Sequence, residues 1–116
     1  MANKTDGYNF YVTQGDTFSK QITVSSGGNP FNLTGLSFYF VAKVNPSDSD
    51  HDAVIYKAVT TFSTPSSGVF TFTLDPSDTD IPVGIYYLTM KIVLPDGETY
   101  TVWPIDPDTY AYLYIN

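Results

Sequence analysis

Apolar and polar residues alternate along most of this chain with a period of two. From Val69 to Leu74 the sequence Val-Phe-Thr-Phe-Thr-Leu puts Phe70, Phe72 and Leu74 on one side and Val69, Thr71 and Thr73 on the other. That is the spacing of a half-buried strand. Ile85 to Leu94 carries the longest single apolar face, formed by Tyr86, Leu88, Met90, Ile92 and Leu94. Leu36 to Val44 is apolar on both sides, with Phe38, Phe40, Ala42 and Val44 against Tyr39, Val41 and Lys43. A strand of that kind is central in its sheet or covered by a neighbouring chain. Shorter alternating runs occupy Tyr8 to Thr13, Thr17 to Val24, Ala53 to Thr60, Glu98 to Trp103 and Tyr110 to Ile115. Lys20 falls in phase with Phe18 and Ile22. It either lays its stem over the edge of the core with the ammonium in water or marks a bulge.

Turn signals separate these runs. Gln14-Gly15-Asp16, the Ser- and Gly-rich segment Ser25 to Pro30, the polar loop Pro46 to Asp52, and Pro65-Ser66-Ser67-Gly68 each interrupt the alternation. In Leu94-Pro95-Asp96-Gly97, proline presets the first central φ and glycine accepts the positive φ that follows, which makes a tight hairpin. The Gly84-Ile85-Tyr86 entry into a long strand matches a tyrosine corner, in which the hydroxyl bonds back to the preceding turn. No helical period appears. The pattern predicts an all-β fold: a single domain over residues 1–116, built as an antiparallel immunoglobulin-like β-sandwich of about seven to eight strands.

Composition sharpens this. Ten Tyr and eight Phe fit pleated, half-buried surfaces. Twelve acidic groups against five lysines give a formal charge of −7. Without a basic patch there is nothing to neutralise phosphates, so direct nucleic-acid binding is not expected. Cysteine is absent, which removes disulfide and thiolate chemistry. No segment reads as a signal peptide or a membrane span, so the expectation is a protein made in a cytoplasm, with no membrane partner.

Candidate chemistry is sparse. His51, the one histidine, lies in Asp48-Ser49-Asp50-His51-Asp52, where a Ser-His-Asp triad can be written on paper. A triad also needs a buried orienting carboxylate and an oxyanion hole, so the chain is read as no enzyme and without a cofactor. Asp48, Asp50 and Asp52 are the candidate calcium ligands, because alternate aspartates can converge their oxygens. Counting from Asp48, Ala53 and Val59 stand where an EF-hand needs Gly and Glu, which leaves only a looser site, completed by Asp75, Asp78 or Asp80. The preferred reading of these acids is turn chemistry. Tyr110, Tyr112 and Tyr114 share one side of the last strand, with Ala111, Leu113 and Ile115 on the other. If the aliphatic set packs inward, three tyrosines line the outside and suit a protein partner or a sugar ring. Trp103 is expected to anchor the core at a sheet end.

Several of these segments, in order, resemble the N-terminal domain of the phage baseplate upper protein family. Gly15-Asp16-Thr17-Phe18 is similar to that family's opening turn. Gly28-Asn29-Pro30-Phe31-Asn32-Leu33-Thr34-Gly35 is similar to its Gly-x-Pro-x-Asp-Leu-Thr-Gly segment, with Asn32 in place of Asp. Phe70 to Leu74, Asp78-Thr79, Pro82-x-Gly84-x-Tyr86 and Pro95-Asp96-Gly97 complete the likeness. The resemblance implies a non-enzymatic virion structural protein, either a head decoration or fibre base or a tail or baseplate accessory. Its partners would be other virion proteins, and its state a homo-oligomer or symmetric array on the particle. The alternative is a carbohydrate-binding or calcium-assisted adhesive module.

Overall fold

The computed structural model describes residues 4–6, 8–103 and 110–116. Its strands are β1 (Lys4–Asp6), β2 (Asn9–Val12), β3 (Phe18–Thr23), β4 (Ser25–Ser26), β5 (Asn29–Pro30), β6 (Ser37–Lys43), β7 (Ile55–Val59), β8 (Val69–Leu74), β9 (Gly84–Val93), β10 (Thr99–Trp103) and β11 (Ala111–Ile115). A one-turn helix α1 (Pro76–Thr79) and two 3-10 turns at Asp50–Asp52 and Pro65–Ser67 complete the inventory.

Two sheets face each other, and they are unequal. The larger runs β1-β2-β11-β9-β6-β7, with β10 also pairing β9. β9 is long enough to take β11 along Gly84–Leu88 and β10 along Met90–Val93 on one edge, while β6 occupies the other. The smaller sheet is β3 with β8 alone, and β4 and β5 form a separate short hairpin. This is an immunoglobulin-like sandwich: β6, β9 and β11 stand as strands C, F and G, β7 as C′, and β3 and β8 as B and E. One pair departs from antiparallel order, since β11 runs parallel to β2. After β2 the chain crosses to the smaller sheet, so β2 has no hairpin partner on that edge and β11 arrives there from the far end of the chain.

The inward phases meet in one core. Phe10, Phe38, Phe40, Leu88, Met90 and Leu113 from the larger sheet pack on Phe18, Ile22, Phe70, Phe72 and Leu74 from the smaller. Phe72, 1% exposed, sits among the rings of Phe18, Phe38 and Phe40. The apolar-on-both-sides run at β6 is the central strand between β9 and β7. Its expected inward Val44 lies past the strand end and is 54% exposed.

Two local devices hold the turns. Tyr86 is buried and its hydroxyl donates to the Pro82 carbonyl at 2.5 Å, which ties the start of β9 to the turn before it. Gly68 has φ +70, and a Cβ there would lie 2.5 Å from the Val24 carbonyl oxygen. Only glycine fits so close a backbone approach. The acidic segment read as a turn holds α1, closed by a capping box in which Asp75 and Asp78 serve each other's backbone amides.

Candidate interaction surface

The outer face of the larger sheet carries a tyrosine row at one end, and at the other a lysine–aspartate cluster beside the Tyr39–Tyr56 ring pair. In β11 the aliphatic set Ala111, Leu113 and Ile115 is buried, so Tyr112 and Tyr114 point away from the core, joined by Tyr110 just before the strand. Register adds neighbours from both sides: Tyr114 stands opposite Tyr11 of β2 and Ile85 of β9, and Tyr112 opposite Tyr87. The Tyr11 and Tyr114 rings stack at 4.5 Å with 5° between their planes. Tyr87 meets both Tyr110 and Tyr112 at 5.4 Å, and Tyr112 meets Tyr114 at 6.2 Å. Five tyrosines therefore form one connected row. Ile85 at 60% exposure and Val83 at 64% extend its apolar margin.

Tyr11 and Tyr87 were not singled out from the sequence. Each lies in the phase opposite the core residues of its strand, which was readable, but alternation does not say which strands flank β11.

The other end of the face is closed by the Asp50–Asp52 turn. Asp50 accepts from Lys43 at 2.7 Å and from Lys91 at 2.9 Å, one lysine on each oxygen. Those hydrogen bonds, from Lys43 first and then Lys91, hold its carboxyl below the ordinary aspartate range. Val41, an outward residue of β6 by its phase, is fully buried. That explains the second apolar face of the strand without a neighbouring chain.

The remaining candidates are separately engaged. Asp48 accepts from the Asn45 amide and Asp52 from the Ser49 hydroxyl at 3.1 Å, so the three aspartates of this loop serve different partners. Asp75 and Asp78 both bond Lys57, at 3.1 and 2.9 Å. That raises the lysine's pKa, through Asp78 first. Asp80 is exposed. Among the described residues no three acidic or histidine side chains gather as metal ligands would. His51 is exposed beside an open cleft shared with Asp50 and Tyr56, and the Ser49–Asp52 bond bypasses it. Trp103 is partly buried against the core and donates from Nε1 to the Tyr8 carbonyl at 3.0 Å. Among the described residues no helix is long and apolar enough to cross a membrane.

No family model and no curated protein matches the chain by sequence. Among solved structures, the N-terminal domain of phage TP901-1 ORF48 is similar, with a TM-score of 0.52 at 12% identity, covering 91% of this chain and 82% of that one. The NK cell receptor NKp44, a triggering partner in natural cytotoxicity, is similar with a TM-score of 0.51 at 16% identity, covering 97% of this chain and 100% of the receptor. At these identities the likeness is one of fold. A phage protein and an NK cell receptor share this sandwich, and the fold by itself does not choose between their settings.

Proposed function

We propose that this protein is a non-enzymatic virion structural component that docks onto other virion subunits through the tyrosine row of its larger sheet. The observation that carries the docking is that row: Tyr11, Tyr87, Tyr110, Tyr112 and Tyr114 are contiguous and uncharged in a chain of net charge −7. Tyrosine is enriched at interfaces because its ring is apolar and its hydroxyl bonds, and depletion of charge marks an interface centre. The virion setting is supported by the ordered motifs from Gly15 to Gly97 and by the fold likeness to a phage protein domain. On a symmetric particle, repeated weak contacts would add to firm attachment through avidity.

Ring geometry argues against the sugar-binding alternative. A sugar stacks on an open ring face, whereas Tyr11 and Tyr114 already cover one face of each other. Calcium assistance is disfavoured by the lysines already held on Asp50.

The test is co-sedimentation with phage particles assembled without the protein. The wild type is expected to sediment with them, and the triple variant Tyr11→Ser, Tyr112→Ser, Tyr114→Ser to stay in solution while melting as a folded protein. Unchanged attachment of the folded triple variant would sink the tyrosine assignment, and failure of the wild type to bind any particle would sink the virion reading. A thermal shift on adding monosaccharides or calcium would favour the adhesive alternative, since a ligand bound only by the native state raises its stability.

A further inference from the structure

Among the described residues the smaller sheet has two strands, and the outer edge of β3, like that of β8, pairs with no further strand. Val24 donates to the Gly68 carbonyl directly opposite it, at 2.7 Å. In an antiparallel ladder this makes the same-phase residues Phe18, Lys20 and Ile22 the ones that exchange bonds with β8. Ser19 and Thr73 fit that phase, since their side chains touch across the closer, non-bonded pair at 2.9 Å. Ser19, Gln21 and Thr23 consequently turn their N–H and C=O groups away from β8, and among the described residues these groups meet no backbone partner.

Beside this edge runs a groove of about 340 Å³, floored by Ile22 and Val24 of the β3 segment and by Val102 and Trp103 of β10. It lies where a third strand of the smaller sheet would run. Lys20 points into it, with Nζ 5.9 Å from the Phe10 ring centre and 5.7 Å from that of Trp103. Lys43, Lys57 and Lys91 are all held by carboxylates. Lys20 has none among the described residues.

We propose that the free edge of β3 is a strand-addition site that accepts an extended segment of a partner protein bearing a carboxylate opposite Lys20. The three outward backbone residues call for a strand rather than a helix or a globular knob, because only an extended chain presents donors and acceptors at matching spacing. Added antiparallel, it would bond to Ser19, Gln21 and Thr23, which puts Lys20 in the non-bonded position where cross-strand side chains approach most closely. A carboxylate there would pair with a lysine that has no such partner among the described residues, beside two aromatic rings and beneath the added strand, where an ion pair is less screened. Inward apolar residues of the incoming strand would cover Val102 and Trp103. The site belongs to the opposite sheet from the tyrosine row and stands independently of it.

The probe is a synthetic peptide of about six alternating Val and Thr residues, long enough for one strand, with blocked ends and a single central Asp. A twin carries Lys instead. Amide exchange by NMR should slow at Ser19, Gln21 and Thr23 with the Asp peptide, and the twin should bind about ten-fold more weakly or worse. Lys20→Glu should reverse that preference and Lys20→Met should erase it while keeping the apolar stem in place. Tyr112→Ser should leave peptide binding unchanged, so failure here and failure of the tyrosine assignment are separable. Absence of protection at those three amides at millimolar peptide overturns the proposal, as does equal affinity for the two peptides or binding by a peptide whose amides are N-methylated.

Discussion

Truncating Phe72 to alanine probes the contact on which the unequal sandwich depends. Phe72 is 1% exposed and lies 5.1, 5.6 and 6.5 Å from the ring centres of Phe40, Phe38 and Phe18. Phe→Ala in a core costs about 3–5 kcal/mol, rising with the cavity that remains. Here the neighbours sit on β6 and β3, whose backbones are fixed by ladders to β9, β7 and β8, so little collapse is available. Each ring pair also forfeits about 0.5–1.5 kcal/mol beyond its area. The upper end, about 4–5 kcal/mol, is therefore expected. For 116 residues, a native stability of about 6–17 kcal/mol follows from the usual per-residue range, so the variant should be folded but fragile. Urea unfolding reads the loss directly, and with a slope near 2 kcal/mol/M the midpoint falls by about 2 M. Phe62→Ala is the control: half-buried at the rim, it meets the Phe70 ring at 5.1 Å and should cost about 1–2 kcal/mol. A loss below about 2 kcal/mol for Phe72→Ala, or equal losses for the two, would refute the packing of β8 against β6 described above.

Other perturbations test the turns, the charge clamp and the free edge. Tyr86→Phe removes the hydroxyl bond to Pro82 and should lower stability by about 1 kcal/mol, seen as a melting temperature lower by about 4 °C. Gly68→Ala should cost well over 1 kcal/mol, because the positive φ and the 2.5 Å approach to the Val24 carbonyl both oppose a Cβ. Gly15→Ala, with positive φ but open space around it, should cost less in the same melt. Since the folded pKa of Asp50 is depressed by Lys43 and Lys91, its contribution is present above the unfolded value of about 3.9 and is lost as pH falls through the folded value. Melting curves should then show a steeper acid decline for the wild type than for Asp50→Asn, and parallel declines would show the clamp contributes nothing. Lys20→Ile should leave the fold intact but promote concentration-dependent self-association in sedimentation velocity, because it removes the charge guarding an open edge. A strictly monomeric Lys20→Ile would mean that something else guards it.

Much of the fold was legible because strands announce themselves locally. Val69–Leu74 coincides with β8 residue for residue, and β9, β6 and β11 differ from their expected spans by a residue or two. The turn residues punctuate as their φ preferences require. What the sequence concealed is relational. Nothing in Asn9–Val12 says that β2 lies parallel to a strand a hundred residues later, and so nothing says that Tyr11 stacks on Tyr114. By phase alone Lys20 fits either a bulge or a stem laid over the core edge; the unbroken β3–β8 register decides for the stem. The acidic loops were similarly ambiguous, because whether an aspartate caps a backbone amide, holds a lysine or waits for a cation depends on which cation stands nearby. For Asp50 that is settled by Lys43 and Lys91, residues on two different strands.

The same relational logic explains why an open edge and an inward lysine belong together. A pair of strands exposing unpaired N–H and C=O groups invites any extended chain, including β3 of another copy. Lys20 changes what can enter. A purely apolar strand would have to strip water from the ammonium without a counter-charge. A second β3 would bring its own Lys20 up against this one, a like-charge contact that costs affinity. A strand carrying a carboxylate at the facing position meets neither penalty and gains a partly shielded ion pair. Selectivity here arises mainly from what is disfavoured, as a difference between competing affinities rather than a large absolute one. On that ground Lys20 acts both as the guard of the edge and as the element that names its partner, and substituting it should loosen the first function and lose the second together.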